Sequence, residues 1–279
     1  MAQTRQRRVW ALADAHIGRE IDGRDGDAWL AMAIDDVRRR FPPVDYALFL
    51  GDMTARYEAE EFRKYVRLRD GSGIRWWYEI AGNHDFHGTE TGDYQRIIRA
   101  PLRYTMVDGN TAFIFFSAER GRAAGLLGEE TAAWLADRLA RHQGRNVVVC
   151  AHQAVHNTVA RSDDFERYLH PHEVVADLLS RYRVDLWLSG HTHSRPRLVA
   201  DAAVMDGTTH INVASVSHVY NTEASNSFLL EMTPGSRVMR ARCREHDAGR
   251  WRREFEVKAR FPFPFDFGPL PDRAMPRRR

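Results

Sequence analysis

Apolar residues gather along this chain in short runs rich in Val, Leu, Ile and aromatics: "RVWALAD", "YALFLGD", "WWYEIAGN", "NVVVCAH" and "VDLWLSGH". Runs of this length and composition predict buried strands. In the third, Trp76 and Trp77 are adjacent and would face opposite sides of such a strand. Between the runs lie amphipathic stretches of helical length, over residues 27–40, 59–69, 129–142 and 172–181. In "GEETAAWLADRLARH" acids open the segment and basic residues close it, as the helix dipole favours. Alternating strand and helix predicts an α/β fold with a largely parallel sheet. From about Arg195 the alternation stops. "LVADAAVMDGTTHINVASVSH", "SFLLEMT" and "RVMRARCREHD" read as strands without long helices between them. They predict a second, more antiparallel sheet packed on the first, with "TAFIFFSAE" as a further candidate member.

The final segment, "RFPFPFDFGPLPDRAMPRRR", is too rich in proline for a helix, and its phenylalanines are costly to leave in water. The expected organisation is therefore one domain over residues 1–260, then an extended arm over 261–279. That arm would lie on the body of the protein or on a partner subunit, where it would build a homo-oligomer.

Composition narrows the picture only a little. With 279 residues, 43% of them hydrophobic, the chain can bury a substantial core. Its charged fraction of 28% is near the average of about 25% for soluble proteins and carries no signature of disorder. Net charge is +3, and almost all the positive charge is arginine, Lys64 and Lys258 being the only lysines. There is no long basic stripe, so nucleic acid is not the expected partner. Cys150 and Cys243 make neither a disulfide framework nor a thiolate zinc site. The first apolar run is cut by Asp14, too soon for a signal peptide, and no run is long enough to span a bilayer. A cytoplasmic protein without membrane contact is expected.

The chemistry lies at the ends of the strands. "WALAD" ends in Asp14, with His16 two residues on, and "LFLGD" ends in Asp52. "EIAGNHD" ends in Asn83 and His84, "VVVCAH" in His152, and "LWLSGHTH" in His191 and His193. Ligands of open α/β sheets bind outside the carboxyl ends of strands. Neighbouring strands of this kind would aim two aspartates, an asparagine and several histidines at one pocket. Oxygen and imidazole donors without thiolate suit manganese, iron, zinc or nickel. Seven donors exceed what one tetrahedral ion needs, so two divalent metals sharing a carboxylate is the economical arrangement. Such pairs serve in-line attack on phosphorus.

The series "DAH", "GD", "GNHD", "AH" and "GHTH", in this order, resembles the calcineurin-like metallophosphoesterase superfamily through roughly residues 8–195. The resemblance implies a four-layer α/β/β/α sandwich of two mixed sheets, with a dimetal site at the strand C-terminal ends. It places Asp14, His16 and His193 on the first metal and Asn83, His152 and His191 on the second, with Asp52 bridging both. It implies that His84 is not a ligand but faces the phosphate and meets the leaving oxygen, and that Asp85 orients His84. The implied reaction is hydrolysis of a small phosphodiester or phosphomonoester by a metal-bridging hydroxide.

The motifs also depart from some branches. Serine/threonine protein phosphatases tend to carry aspartate, arginine and glycine from three positions after the bridging aspartate; Ala55, Arg56 and Tyr57 stand here. Purple acid phosphatases carry an iron-binding tyrosine where this chain has Ala55. The remaining pattern is most similar to bacterial cyclic-nucleotide phosphodiesterases and related small phosphoesterases, although "AHQAVHNTVARSDD" alters their usual loop. Arg56, His87, His156 and Arg161 are candidate substrate contacts, each with an ordinary solvated role as the alternative. Two other readings of the same pattern are a DNA nuclease of the SbcD type and a non-catalytic partner-binding scaffold.

Overall fold

A computed structural model gives the positions of residues 5–86, 92–98, 101–118, 125–193, 202–218 and 224–270. Strand β1 (Arg7–Leu12) is followed by a small hairpin, β2 (Glu20–Ile21) and β3 (Arg24–Asp25), and by helix α1 (Gly26–Arg40). Strand β4 (Tyr46–Leu50), helix α2 (Ala59–Gly71) and strand β5 (Trp77–Ile80) come next. Then follow β6 (Arg103–Asp108), β7 (Thr111–Phe116), β8 (Gly125–Leu126), α3 (Glu129–His142) and β9 (Asn146–Cys150). The pair β10 (Leu169–His170) and α4 (His172–Arg181) leads into β11 (Leu186–Ser189). The chain closes with β12 (Ala202–Met205), β13 (Thr208–Asn212), β14 (Asn226–Met232), β15 (Val238–Glu245) and β16 (Arg250–Arg260).

The larger strands form two six-stranded sheets, ordered β16-β15-β14-β1-β4-β5 and β12-β13-β11-β9-β7-β6. Both are mixed. In the first, β1, β4 and β5 are parallel, and β14 to β16 extend it antiparallel beside β1. In the second, β7, β9, β11 and β13 are parallel, with β6 and β12 antiparallel at its edges. The strands after Arg195 therefore do not form a sheet of their own. They divide between the two, and β7 joins the second.

Side-chain alternation explains why the runs look continuously apolar: both faces of each sheet are covered. Val148 and Cys150 of β9 face the inter-sheet core beside Leu48 and Leu50 of β4. Val147 and Val149 face the other way, toward Leu135, Leu139 and Leu178 of α3 and α4. Trp10, Leu12, Ala47 and Phe49 likewise meet Leu30, Ile34 and Phe62 of α1 and α2. The layers are thus α/β/β/α. Trp77 joins the α1–α2 cluster while Trp76 packs on the inter-sheet core, as neighbours on a strand must. The proline-rich end runs without helix through residue 270, and Phe261, Phe265 and Phe267 are buried in the inter-sheet core. No helix among the described residues is long and apolar enough to cross a membrane.

One polar network ties a helix to its sheet. Asp36 of α1 accepts two hydrogen bonds from Arg244, at 2.7 and 2.6 Å, and one from His246 Nδ1 at 2.8 Å. Burial resists ionisation of Asp36, but hydrogen bonds from Arg244 and His246 hold its carboxyl down at about 2. The folded value lies below the ordinary value of about 3.9, so the stabilisation is complete above about pH 4 and fades as pH falls toward 2. Asp36→Asn leaves the buried Arg244 guanidinium without its counter-ion. We expect a loss of about 2–3 kcal/mol at pH 7, or a Tm lower by roughly 5–10 °C. In calorimetry at decreasing pH the gap from wild type should narrow; a constant gap would mean that the carboxylate charge plays no part.

Candidate metal centre

The five motif-bearing strands are split between the sheets, β1, β4 and β5 in the first and β9 and β11 in the second. Their C-terminal ends meet at one edge of the sandwich. Asp14, His16, Asp52 and His193 form one buried cluster, and Asp52, His152 and His191 form another. Asp52 belongs to both. Within the first, His16 Nε2 lies 3.6 Å from a carboxylate oxygen of Asp14 and of Asp52, and 3.4 Å from His193 Nε2. His193 Nε2 is 2.8 Å from Asp14 Oδ1. Within the second, His152 Nε2 lies 3.2 Å from Asp52 Oδ2.

Some of these groups meet directly, as His193 does Asp14, but others keep a donor atom unengaged. Asp52 Oδ2, Asn83 Oδ1, His152 Nε2 and His191 Nδ1 are all buried without a hydrogen-bond partner. Each such orphaned atom costs about 1–3 kcal/mol, and Asp52, His152 and His191 share one cluster, so the orphans there require an explanation. The opposite ring nitrogens are engaged: His152 Nδ1 donates to Leu50 O at 2.6 Å, and His191 Nε2 to Glu166 O at 2.8 Å. That turns His152 Nε2 and His191 Nδ1 inward, the ring orientation a metal ligand needs. The donor set therefore fits two divalent cations sharing Asp52.

Charge follows the same logic. Burial opposes ionisation of Asp52, yet His152 keeps its carboxyl well below the ordinary range. Burial likewise opposes ionisation of Asp14, which His193 and His16 hold low. Burial drives His191 to about 3 and His193 to about 4, so both are neutral. His152 goes the other way, to about 9: burial disfavours its charge, but the Asp52 carboxylate outweighs that.

The backbone bears the strain of this convergence. Asp14, His16, Asp52, His191 and His193 all have positive φ, between 45° and 67°. Gly82 and Gly190 are glycines for want of room. A Cβ on Gly82 would collide with the Asp52 carboxylate, and one on Gly190 would sit 2.7 Å from Asp14 Oδ2. The strained turn at residues 190–193 is clamped from outside the motifs. Arg167 donates to His191 O at 3.0 Å and Arg161 to Thr192 O at 3.1 Å, while Asn212 donates to Gly190 O. Ser215 and Ser217 both donate to Asp14 O, at 2.9 and 2.8 Å.

His84 stands beside the clusters. Its backbone N–H donates to Asp52 Oδ1 at 2.8 Å, and its ring meets that of His16 edge to face at 4.8 Å. Its Nδ1 is 3.0 Å from Ala55 O, a carbonyl that can only accept, so Nδ1 donates to it. Asp85 does not take the part expected of it. Its carboxylate accepts from Thr54 N, Thr54 Oγ1 and Gly82 N at 3.0, 2.9 and 2.9 Å, and from Met53 N at 3.3 Å, with no bond to the His84 ring. It staples the loop after β4 to the loop after β5, and Ala55 O holds His84 instead. Burial, then repulsion from Asp52, raises the Asp85 carboxyl to about 6.

The candidate substrate contacts fall in different places. Arg56 is exposed just beyond the Asp52 loop. Arg161 is engaged with the 190–193 turn, as described. His156 is half-buried against Tyr168 and His172, at ring distances of 4.4 and 4.6 Å. His87 lies outside the described residues. Glu166, Arg167, Asn212, Ser215 and Ser217 are not indicated by the sequence. They serve the site through backbone groups or by gripping backbone groups, and no motif spacing records that.

A family model described as calcineurin-like phosphoesterase matches residues 7–195. No curated protein sequence matches the chain. Among solved structures, purple acid phosphatase PPD1 from yellow lupin (Lupinus luteus) seeds is similar at 16% identity and a TM-score of 0.65. That match covers 90% of this chain and 53% of the lupin protein, so the chain spans about half its length. GAP50, the anchor in the inner membrane complex of Plasmodium, is similar at 14% identity and a TM-score of 0.66, covering 93% of this chain and 90% of that one. At such identities the likeness is one of fold. With the family model spanning most of the chain, and the motif residues converging as its fold requires, the chain belongs to the calcineurin-like phosphoesterase family.

Proposed function

We propose that this protein hydrolyses a small phosphodiester or phosphomonoester, with a cyclic-nucleotide-like diester as the leading candidate. The observation that carries the reading is Asp52, whose partnerless Oδ2 belongs to both ligand clusters while its Oδ1 accepts the His84 N–H. Two divalent cations there, manganese, iron, zinc or nickel, would neutralise the phosphate and supply an activated water. Asp14, His16 and His193 would hold one, and Asn83, His152 and His191 the other. His84, with Nδ1–H held on Ala55 O, would present Nε2 to the leaving oxygen and, as an imidazolium carrying a second proton on Nε2, give that proton to it. Arg56, exposed nearby, would steer the anion.

The test is a panel of the four metals against an aryl phosphodiester, an aryl monophosphate, and 2′,3′- and 3′,5′-cyclic nucleotides. A kcat/KM at least tenfold higher on the diesters is expected. Metal uptake without turnover of any of them would overturn the hydrolase reading. It would favour a scaffold, which has some support from the shared fold of GAP50, described as an anchor.

A further inference from the structure

Ala55 O, which holds the His84 ring, belongs to the same planar peptide group as the N–H of Arg56. That N–H donates to Glu61 Oε2 at 2.9 Å, while His84 Nδ1 donates to Ala55 O at 3.0 Å. One amide thus carries a carboxylate on one side and the imidazole on the other. Glu61 lies in the first turn of α2 and is only 5% exposed.

Helix capping explains part of this. Glu61 is the third residue of α2, and its side chain accepts from the N-cap N–H of Glu58 at 3.3 Å. The bond to Arg56 N is shorter and reaches two residues before the N-cap, where the helix has no N–H to satisfy. Packing holds the carboxylate in place, for a Cβ on Gly18, two residues past His16, would overlap Glu61 Oε1. The neighbouring amides are pinned as well. Ala55 N donates to Ile17 O at 2.9 Å, and Tyr57 N to Thr54 Oγ1 at 3.3 Å. The Ala55–Arg56 peptide cannot turn without breaking one of these bonds.

We propose that Glu61 is a positioning residue for His84, acting through the Ala55–Arg56 peptide. Its carboxylate fixes the direction of that amide and polarises it, so that Ala55 O grips Nδ1 more firmly. The proposal rests on the role given to His84 above and adds the group behind it. A displacement of about 1 Å in a reacting group can cost as much as a hundredfold in rate.

Glu61→Gln keeps the helix cap, which glutamine also makes, but replaces a carboxylate with a weaker, neutral acceptor. On an alkyl phosphodiester kcat should fall about threefold in Glu61→Gln and about tenfold in Glu61→Ala, with KM unchanged. On a nitrophenyl ester, whose leaving group needs no proton, neither variant should lose activity. In a His84→Ala background neither substitution should cost anything further. Independently of turnover, the His84 Nδ1 nitrogen resonance of the zinc-loaded protein should move in Glu61→Gln, while those of His210 and His246 stay in place. An equal loss on both esters, a loss that persists without the His84 ring, or an unmoved Nδ1 resonance would overturn the proposal. Wild-type protein that cleaves neither ester would overturn the hydrolase reading instead, and the resonance would still decide the link from Glu61 to His84. If Glu61→Ala does not fold, Glu61→Gln carries the test alone.

Discussion

Replacing His84 with alanine should lower kcat by about two to three orders of magnitude while both metals stay bound. The side chain belongs to neither ligand cluster. The bond that His84 makes to Asp52 comes from its backbone N–H, which alanine retains. What disappears is an imidazole fixed at Nδ1 by Ala55 O, which on the proposed reading gives the leaving oxygen its proton from Nε2. General acids of this kind contribute roughly 10²–10⁴ in rate. The loss should shrink for a nitrophenyl ester, whose leaving group needs no proton, and grow for an alkyl ester. Metal content by elemental analysis, read beside kcat on both esters, checks this. Wild-type turnover, or an equal loss on both, would remove His84 from that role.

Asp52→Asn should be more severe, because it strikes the binding of metal itself. The carboxylate is fully buried, serves both clusters and has one oxygen without a hydrogen-bond partner. An amide of the same shape keeps the volume and loses the charge that balances two cations. Metal content should fall below one ion per chain at micromolar metal, and kcat/KM by about three orders of magnitude or more. The fold should survive, since the substitution is isosteric. A circular-dichroism spectrum like that of the wild type, with metal lost, is the expected pair of results. Retention of both ions would mean that another group bridges them.

Much of this site is legible in the amino-acid sequence. Asp14, His16, Asp52, Asn83, His152, His191 and His193 each follow an apolar run, and strand ends are where a parallel sheet exposes side chains. The allocation of strands is less so. Nothing in the run "SFLLEMT" says that it pairs with β1 from more than two hundred residues away, because strand partners are chosen by packing. Asp85 shows a different limit. Adjacency to His84 suggests a partnership, but the tight turn at residues 83–85 points the carboxylate back at Thr54 and Gly82. The grip of Arg161 and Arg167 on the 190–193 turn is equally hidden, for arginine before a loop looks the same whether it holds a carbonyl or a phosphate.

The division of the ligands between two sheets has a consequence for biosynthesis. The first sheet is completed by β14 to β16, so Asp14, Asp52 and Asn83 leave the ribosome long before the strands that brace β1. The histidines at 191 and 193 also emerge late. On the proposed reading, a growing chain should hold both cations only after His193 and the strands that brace β1 have emerged, so that occupancy of the centre would report on assembly of both sheets. A truncated or stalled product should scavenge little metal, and so should carry little stray hydrolytic activity.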